Sequence, residues 1–180
     1  MTKKSSFPIL PSDENVIGII GGGQLGKMIA LSASRAGYKT HLYCPEGDNP
    51  AETVVDEVTY GEWDDNDKLA QFSKKVSCVT SEFENIPYKS LELLANKTKV
   101  IPSSLVFRCA QIRSKEKEMA IKSGFKTPKW FLVKNPDDLI SSMKNISNEG
   151  ILKTNSLGYD GKGQIKINKS SNFFKAWKKL

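Results

Sequence analysis

The chain has 180 residues, of which 38% are hydrophobic and 26% charged, and its formal net charge is +7. This is the composition of a globular protein with one domain or two small ones, and no apolar run approaches the roughly 20 residues of a membrane helix, so we expect no membrane association. The three cysteines, Cys44, Cys78 and Cys109, are odd in number and far apart, and with His41 as the single histidine they indicate neither a disulfide framework nor a Cys/His zinc site. Such cysteines suit a reducing cytosol, so we expect a cytoplasmic location.

The N-terminal segment and the distribution of charge indicate whether the chain carries a targeting signal and which kinds of ligand it could bind. Residues 1–13 lack the apolar core of a secretory signal, and we expect them to form a disordered leader. The positive charge is concentrated after residue 100, which indicates either a nucleic acid or a polyphosphate ligand. We expect no nucleic-acid partner, because no nucleic-acid motif is present and the basic residues are not interleaved with aromatic ones.

The first predicted elements are a strand, a glycine-rich turn, a helix and a second strand. The apolar run 16–20 is typical of a buried parallel strand, and Gly21, Gly23 and Gly26 then match the G-x-G-x-x-G pattern at the start of a helix. A dinucleotide site also needs an acid at the end of the second strand, but Cys44 stands near that position. The sequence therefore favours a phosphate or another small anion over NAD at this turn.

Two carboxylates, Glu82 and Glu84, follow the next buried strand, 76–80. Ligands of an open α/β sheet bind beyond the carboxyl ends of the strands, so these acids are candidates for contact with a hydroxyl or an amine. Two residues apart in an extended segment they point in opposite directions, and Glu82 is the stronger candidate. The alternative is a solvated loop, or a helix start where acids favour the dipole.

After residue 100 the alternation of buried strands and helices stops. We place the domain boundary so that residues 14–111 form one domain and residues 112–180 belong to a second. A short edge strand is predicted over 99–101. The elements predicted beyond it are a helix over 104–111, a helix over 115–122 with Ser114 as its N-cap, a strand over 130–133, a helix over 137–144 and a β-hairpin over 150–168.

The loop of this hairpin carries Gly158, Gly161 and Gly163, with Lys162 inside it and Lys153 on the strand before it. Glycines allow backbone N–H groups to form a cradle for anionic oxygens, and the two lysines would add positive charge at its rim. The alternative is a flexible hairpin tip with solvated lysines. The pattern is not a P-loop, which would be followed by a helix.

Several motifs occur in one order: 22–26, 82–87, 102–103, Arg113 with Glu116 and Lys117, 151–154, and 158–164. In this order and spacing the chain resembles the N5-carboxyaminoimidazole ribonucleotide synthetases, ATP-grasp ligases of purine biosynthesis, from about residue 15 to residue 180. The resemblance implies an α/β fold: a Rossmann-like pre-ATP-grasp domain with a parallel sheet, followed by the start of an α+β ATP-grasp domain.

The activity implied by the resemblance is a carbon–nitrogen ligation. ATP would convert bicarbonate to carboxyphosphate, and 5-aminoimidazole ribonucleotide would capture the activated carbon to give the N5-carbamate, ADP and phosphate. The implied cofactors are ATP and Mg²⁺, and the implied assembly of the full-length enzyme is a homodimer. The glycine-rich loop would keep water away from the reactive intermediate.

The resemblance also implies roles for individual residues. The residues matching ATP-binding positions are Arg113, Lys153, Gly158, Tyr159, Asp160, Gly161, Lys162, Gly163 and Gln164. The residues matching positions that hold the ribonucleotide are Tyr159 and Asp160 and, by a looser analogy with relatives sharing the first domain, Gln24, Leu25 and Glu82. No catalytic residue is assigned, and no metal ligand is expected within this chain.

Two features depart from the family pattern. The family usually has an aspartate before the arginine, and Ile112 stands there, so we expect a more loosely oriented Arg113. The family also continues past residue 180 into segments that carry the adenine hinge and the magnesium carboxylates, so we expect residues 1–180 alone to be inactive as a synthetase and to bind nucleotide weakly at most.

Two other functions stay open at this point. One is a nucleotide-sensing Rossmann module with a basic appendage, which would prefer NAD to ATP. The other is a neighbouring ATP-grasp ligase, such as a formate-using glycinamide ribonucleotide transformylase or a biotin carboxylase. The segment 82–85 and the pair Tyr159 and Asp160 favour the aminoimidazole enzyme over these ligases.

Overall fold

The computed structural model describes residues 10–12, 14–146, 149–158 and 162–180. The chain divides into two compact units, unit 1 ending at Arg108 and unit 2 beginning at Cys109. Most of the predicted leader lies outside the described residues. Among the described residues, unit 1 has two buried apolar clusters and unit 2 has one, and each unit is described by itself.

Unit 1 alternates strands and helices, as the sequence predicts. Its elements are β1 (Val16–Ile20), α1 (Gln24–Arg35), β2 (Lys39–Cys44), a 3₁₀ helix (Pro50–Val54), β3 (Glu57–Tyr60), α2 (Asn66–Lys74), β4 (Cys78–Ser81), α3 (Tyr88–Ala95), β5 (Lys99–Val100) and α4 (Ser104–Ala110), which runs across the unit boundary. The strands pair in parallel in the order β3-β2-β1-β4-β5. This confirms the predicted Rossmann-like parallel sheet, and β1 and β4 meet where the strand order reverses.

The sheet of unit 1 is buried on both faces, because successive residues of a strand point to opposite sides. Ile19 and Leu42 belong to the apolar cluster on one face, and Ile20, Tyr43 and Phe72 belong to the cluster on the other. All five side chains are fully buried. The turns at the carboxyl ends of β1 and β4 therefore extend from a closely packed, buried sheet.

His41 lies within this core on β2 and is fully buried. Its Nε2 is 2.8 Å from the Thr59 hydroxyl, and its ring meets the Phe72 ring edge-on at a centroid distance of 5.0 Å. Burial lowers the pKa of His41, an effect that nearby Glu57 opposes and nearby Lys75 reinforces. These contacts give His41 a packing role in the sheet.

Unit 2 contains a two-stranded antiparallel sheet and helices. Its elements are α5 (Arg113–Lys122), α6 (Pro136–Met143), β6 (Glu149–Lys153), β7 (Gln164–Asn168) and α7 (Phe173–Lys179). Leu152 and Ile167 of the sheet pack with Leu139, Met143 and Ala176 of the helices. The register pairs Lys153 with Gln164, which confirms the predicted hairpin.

Two predictions in unit 2 are wrong. Residues 130–133 are irregular rather than a strand, because the sheet of this unit pairs β6 with β7 and provides no partner for that segment within the described residues. Helix α5 begins at Arg113, so Ser114 lies inside its first turn and is not its N-cap. No helix among the described residues is long and apolar enough to cross a membrane.

Candidate functional site

The glycine-rich turn of unit 1 lies at the switch point of the sheet. Ile20 pairs with Ser81, so Gly21 and Glu82 follow at neighbouring strand ends. The Glu82 N–H donates to the Ile20 carbonyl at 3.1 Å, and the Gly21 N–H donates to the Tyr43 carbonyl at 3.0 Å. The ends of three adjacent strands thus hold the turn in place.

The Glu82 carboxylate binds the N-terminus of α1. Its Oε1 accepts from the Gly23 N–H at 3.1 Å, and its Oε2 accepts from the Gly26 N–H at 2.8 Å. The first N–H groups of a helix have no partner within the helix, and the dipole favours an anion there. The N–H groups that the sequence offers to an external anion are therefore bonded to a carboxylate of the protein itself.

The glycines of the turn are required by this carboxylate and by close backbone packing. A Cβ at Gly21, where φ is +103°, would overlap the Glu82 side chain, and a Cβ at Gly23 would lie 2.9 Å from its Oε1. At Gly26 a Cβ would lie 2.5 Å from the Gly21 carbonyl oxygen. In this chain the G-x-G-x-x-G pattern thus accommodates Glu82, where a dinucleotide-binding domain would accommodate a pyrophosphate.

The end of β2 is also closed to a dinucleotide of the usual kind. Cys44 is fully buried there, and its burial, with Glu52 and Glu82 nearby, raises the pKa of its thiol to about 11. The 3₁₀ helix follows, and its Ala51 N–H donates to the Gly22 carbonyl at 2.9 Å. The position that would hold ribose hydroxyls is therefore occupied by a neutral, buried thiol.

The three residues assigned to the ribonucleotide in unit 1 lie around this turn. Gln24 and Leu25 form the exposed first turn of α1, and Leu25 is 58% exposed. Glu82 bonds to Gly23 and Gly26 on either side of them. Glu84 is exposed in the turn that follows β4, whereas Glu82 is partly buried.

The hairpin loop of unit 2 is closed at its base by the backbone. The Thr154 N–H donates to the Gly163 carbonyl at 2.9 Å, directly beyond the Lys153–Gln164 pair. Gly163 has φ +67°, and Leu157, at φ +62°, is the one described non-glycine residue with positive φ. The loop thus turns sharply at both ends, with left-handed backbone on each side.

Arg113 joins the start of α5 to this loop. Its Nε donates to the Thr154 carbonyl at 3.1 Å, and its Nη2 donates to the Gly158 carbonyl at 2.9 Å. The expectation that Ile112 leaves Arg113 loosely oriented is wrong, because two side-chain hydrogen bonds fix the guanidinium against the loop. Arg113 holds the loop in this structure through the same group that the resemblance assigns to ATP.

A cavity of about 500 Å³ opens beside these residues within unit 2. Cationic residues and an aromatic and aliphatic segment line it: Arg113, Lys117 and Lys153, with Trp130, Phe131, Leu132, Val133 and Trp177, are among its lining residues. The sequence analysis does not predict the apolar wall, because 130–133 has the composition of a strand. The available signal is the adjacent aromatic pair Trp130 and Phe131, which lies between Lys129 and Lys134.

The remaining residues assigned to ATP lie only partly within the described residues. Gly158, Lys162, Gly163 and Gln164 belong to the described loop, whereas Tyr159, Asp160 and Gly161 lie outside the described residues. The Thr154 hydroxyl is buried between Gly158 and Gly163 and has no hydrogen-bond partner within the described part. In that part no group of three His, Cys, Asp or Glu side chains could hold a metal ion.

Two family descriptions match the two units. Residues 15–111 match the ribonucleotide synthetase preATP-grasp domain, and residues 118–180 match the ATP-grasp domain. The residues of the turn and of Glu82 fall in the first match, and Lys153 and the hairpin loop fall in the second.

Curated relatives resemble nearly the whole chain. The chain is 38% identical over 179 residues to the bifunctional purine synthesis protein purC/E of Dictyostelium discoideum. The aligned region covers 99% of this chain and 18% of that protein. The chain is also 39% identical over 153 residues to the N5-carboxyaminoimidazole ribonucleotide synthase of Brucella melitensis, covering 85% of this chain and 42% of that enzyme. The chain therefore spans less than half the length of these two relatives.

Solved structures of N5-carboxyaminoimidazole ribonucleotide synthetases also resemble this chain. The N5-carboxyaminoimidazole synthetase of Staphylococcus aureus in complex with ADP has a TM-score of 0.86 and 35% identity, covering 93% of this chain and 46% of that one. The agreement extends over both units of the chain and confirms the family resemblance. Since the preATP-grasp match covers more than half of its residues, the chain belongs to the ribonucleotide synthetase preATP-grasp family.

Proposed function

We propose that this chain contributes the preATP-grasp domain and the first part of the ATP-grasp domain of an N5-carboxyaminoimidazole ribonucleotide synthase. Such an enzyme carboxylates 5-aminoimidazole ribonucleotide with bicarbonate at the expense of ATP. The observation that carries the proposal is the unit 2 cavity, where Arg113 and Lys153 stand beside an aromatic wall. The names and coverage of the relatives support the same activity.

The composition of the cavity suits ATP. Its volume falls in the range of small-molecule sites, its apolar wall provides faces for a purine base, and its cations suit phosphates. The Thr154 hydroxyl, which is buried and has no hydrogen-bond partner among the residues that the structure describes, is a further group that a ligand oxygen could satisfy. The loop residues Gly158, Lys162, Gly163 and Gln164 would contribute the phosphate cradle, while Tyr159, Asp160 and Gly161 stay predictions from the resemblance alone.

For the ribonucleotide we propose the turn of unit 1, with Gln24, Leu25 and Glu82. Each Glu82 oxygen accepts one backbone N–H, and an ionised carboxylate oxygen has capacity for a second hydrogen bond. A ribose hydroxyl or an amine could therefore be bound without releasing the turn. The backbone bonds fix the direction in which the remaining lone pairs point.

The chemistry requires positioning more than covalent participation by the protein. Bicarbonate is a poor electrophile, and its phosphorylation needs the γ-phosphate held in line with its charge neutralised. Arg113 and Lys153 would supply that charge from a rigid backbone frame. We also propose Mg²⁺ as a cofactor, a homodimer as the assembly and the cytoplasm as the location. The described residues provide no ligand set for the ion.

The proposal is tested by titrating Mg-ATP into the chain and following tryptophan fluorescence, since Trp130 and Trp177 line the cavity. We expect saturable quenching, and a roughly tenfold weaker affinity in Lys153→Gln, which corresponds to about 1.4 kcal/mol. The matched control is Lys166→Gln, an exposed lysine on the neighbouring strand that is not among the lining residues. Equal loss in both variants would reject a specific role for Lys153.

The competing function, a dinucleotide-binding Rossmann module, is tested by the same chain. Glu82 and Cys44 both argue against it, because they occupy the pyrophosphate and ribose positions of such a site. We expect NAD to leave the melting temperature unchanged, whereas a ligand that binds the folded state raises it. A rise with NAD and none with Mg-ATP would favour the module over the ligase.

A further inference from the structure

Helix α5 lacks a capping side chain of its own. It begins at Arg113, and its N-cap residue Ile112 is extended, with φ −121° and ψ 105°, and makes no side-chain capping bond. The first N–H groups of a helix need acceptors from elsewhere, and an uncapped end frays. Because Arg113 is the first residue of α5, its orientation depends on what caps this end.

Asn155, which lies just beyond β6, provides acceptors for the first two N–H groups of α5. Its backbone carbonyl accepts from the Arg113 N–H at 2.9 Å, and its side-chain Oδ1 accepts from the Ser114 N–H at 3.0 Å. An asparagine oxygen is among the best N-cap acceptors, here supplied from a residue 41 positions along the chain. The loop segment therefore caps the helix in place of Ile112.

The contact is reciprocal. While Asn155 accepts from the backbone of Arg113 and Ser114, the Arg113 side chain donates to the carbonyls of Thr154 and Gly158 on either side of Asn155. Four hydrogen bonds thus join the first turn of α5 to the beginning of the glycine loop. Moving the helix end away from Asn155 would also draw the guanidinium away from the loop.

We propose that Asn155 is a positioning residue: by capping α5 it holds the Arg113 guanidinium against the glycine loop in the geometry used for nucleotide binding. The inference rests on the proposed function for its link to ATP, but its structural part stands on the four hydrogen bonds. Asn155 acts through Arg113. It does for this helix what a side chain at position 112 would otherwise do.

The experiment uses four variants of the chain: Asn155→Ala, Asn155→Asp, Ile112→Asp with Asn155→Ala, and Asn135→Ala. The last is a matched control, because Asn135 caps α6 by accepting from the Asp138 N–H at 2.8 Å in the same unit. Two quantities are measured: solvent exchange of the Arg113 Nε–H by ¹⁵N NMR, and the dissociation constant for Mg-ATP by fluorescence.

We expect Asn155→Ala to accelerate Arg113 Nε–H exchange and to weaken Mg-ATP binding about fivefold, in line with the loss of one N-cap. Asn155→Asp keeps the acceptor, and Ile112→Asp restores a cap within the helix, so both should return the two quantities to wild-type values. Asn135→Ala should change neither.

Each contrary outcome has a defined meaning. If Asn155→Ala leaves Arg113 exchange unchanged, or if Ile112→Asp fails to restore it, Asn155 does not position Arg113 and the inference is overturned. An equal effect of Asn135→Ala would attribute the change to general loosening of unit 2 and would also overturn it. If exchange responds as expected while the wild type binds no Mg-ATP, the proposed ATP-binding role of this chain fails and the positioning role of Asn155 stands.

Discussion

The Glu82 carboxylate accepts a hydrogen bond from the backbone N–H of Gly26 at 2.8 Å, across 56 positions of sequence. With the second bond to Gly23, this makes the acid after β4 a structural part of the glycine turn after β1. A carboxylate at a helix N-terminus is favoured by charge as well as by hydrogen bonding. The glycine turn and Glu82 therefore stabilise each other, and a substitution in either should disturb the other.

Replacing Glu82 with glutamine tests the charge-assisted bonds. The amide nitrogen of Glu82→Gln would face a backbone N–H, leaving a part-buried donor without an acceptor. We expect the free energy of unfolding of unit 1 to fall by about 1.5–3 kcal/mol, measured by urea denaturation with circular dichroism. Asp48→Asn, a neutralised exposed acid, is the control and should change it by less than about 0.5 kcal/mol. Equal stabilities for the two variants would contradict the prediction.

Adding one methyl group at Gly26 tests the close packing of the turn. Alanine normally stabilises a helix relative to glycine by up to about 1 kcal/mol. Here its Cβ would lie 2.5 Å from the Gly21 carbonyl oxygen, so we expect Gly26→Ala to destabilise the fold by about 1–3 kcal/mol. Gly150→Ala, whose Cβ would have its nearest neighbour at 3.7 Å, serves as comparison. A more stable Gly26→Ala variant would show that the turn relaxes freely.

His41 should make stability depend on pH. Burial lowers its pKa in the folded state below the ordinary value of 6.5, so the unfolded chain binds more protons between the two values. The free energy of unfolding is therefore unaffected by His41 protonation above about pH 6.5. It decreases as the pH falls below that value, with a slope of at most about 1.4 kcal/mol per pH unit.

The check is to measure unfolding free energies between pH 7.5 and pH 5, a range chosen roughly around the ordinary histidine pKa. His41→Gln, which retains a polar group near Thr59 but does not titrate, should show a shallower dependence than the wild type. Parallel curves for the two proteins would rule out His41 as the source.

Leu157 should be strained by its backbone conformation. Its φ of +62° lies in the left-handed region, which costs an L-residue with a Cβ roughly 1–2 kcal/mol, and its side chain is 72% exposed. We expect Leu157→Gly to stabilise unit 2 by about 0.5–1 kcal/mol, after the entropy that glycine adds to the unfolded chain. Leu157→Ala removes the same side chain but keeps the strain, so it should leave the melting temperature nearly unchanged. If alanine stabilises as much as glycine, the gain comes from the side chain.

The elements that depend on local pattern could be predicted from the sequence. The buried strand β1, the helix after the glycine turn and the alternating strand β7 follow from side-chain periodicity within a few residues. The motifs at 22–26, 82–87 and 158–164 also identify the family without a structure. Such features depend on residues that are close together in the sequence, so they can be recognised from the sequence alone.

What only the tertiary structure decided is which distant residues meet. Residues 130–133 have strand-like composition but no partner strand in the described part, and a strand is stable only when its backbone groups are paired. The bonds from Gly26 to Glu82 and from Ser114 to Asn155 cross 56 and 41 positions of sequence. They form because folding brings the backbone N–H groups of the helix ends close to acceptors that are distant in sequence. Three-dimensional packing decides which of these groups meet, and no local sequence pattern specifies it.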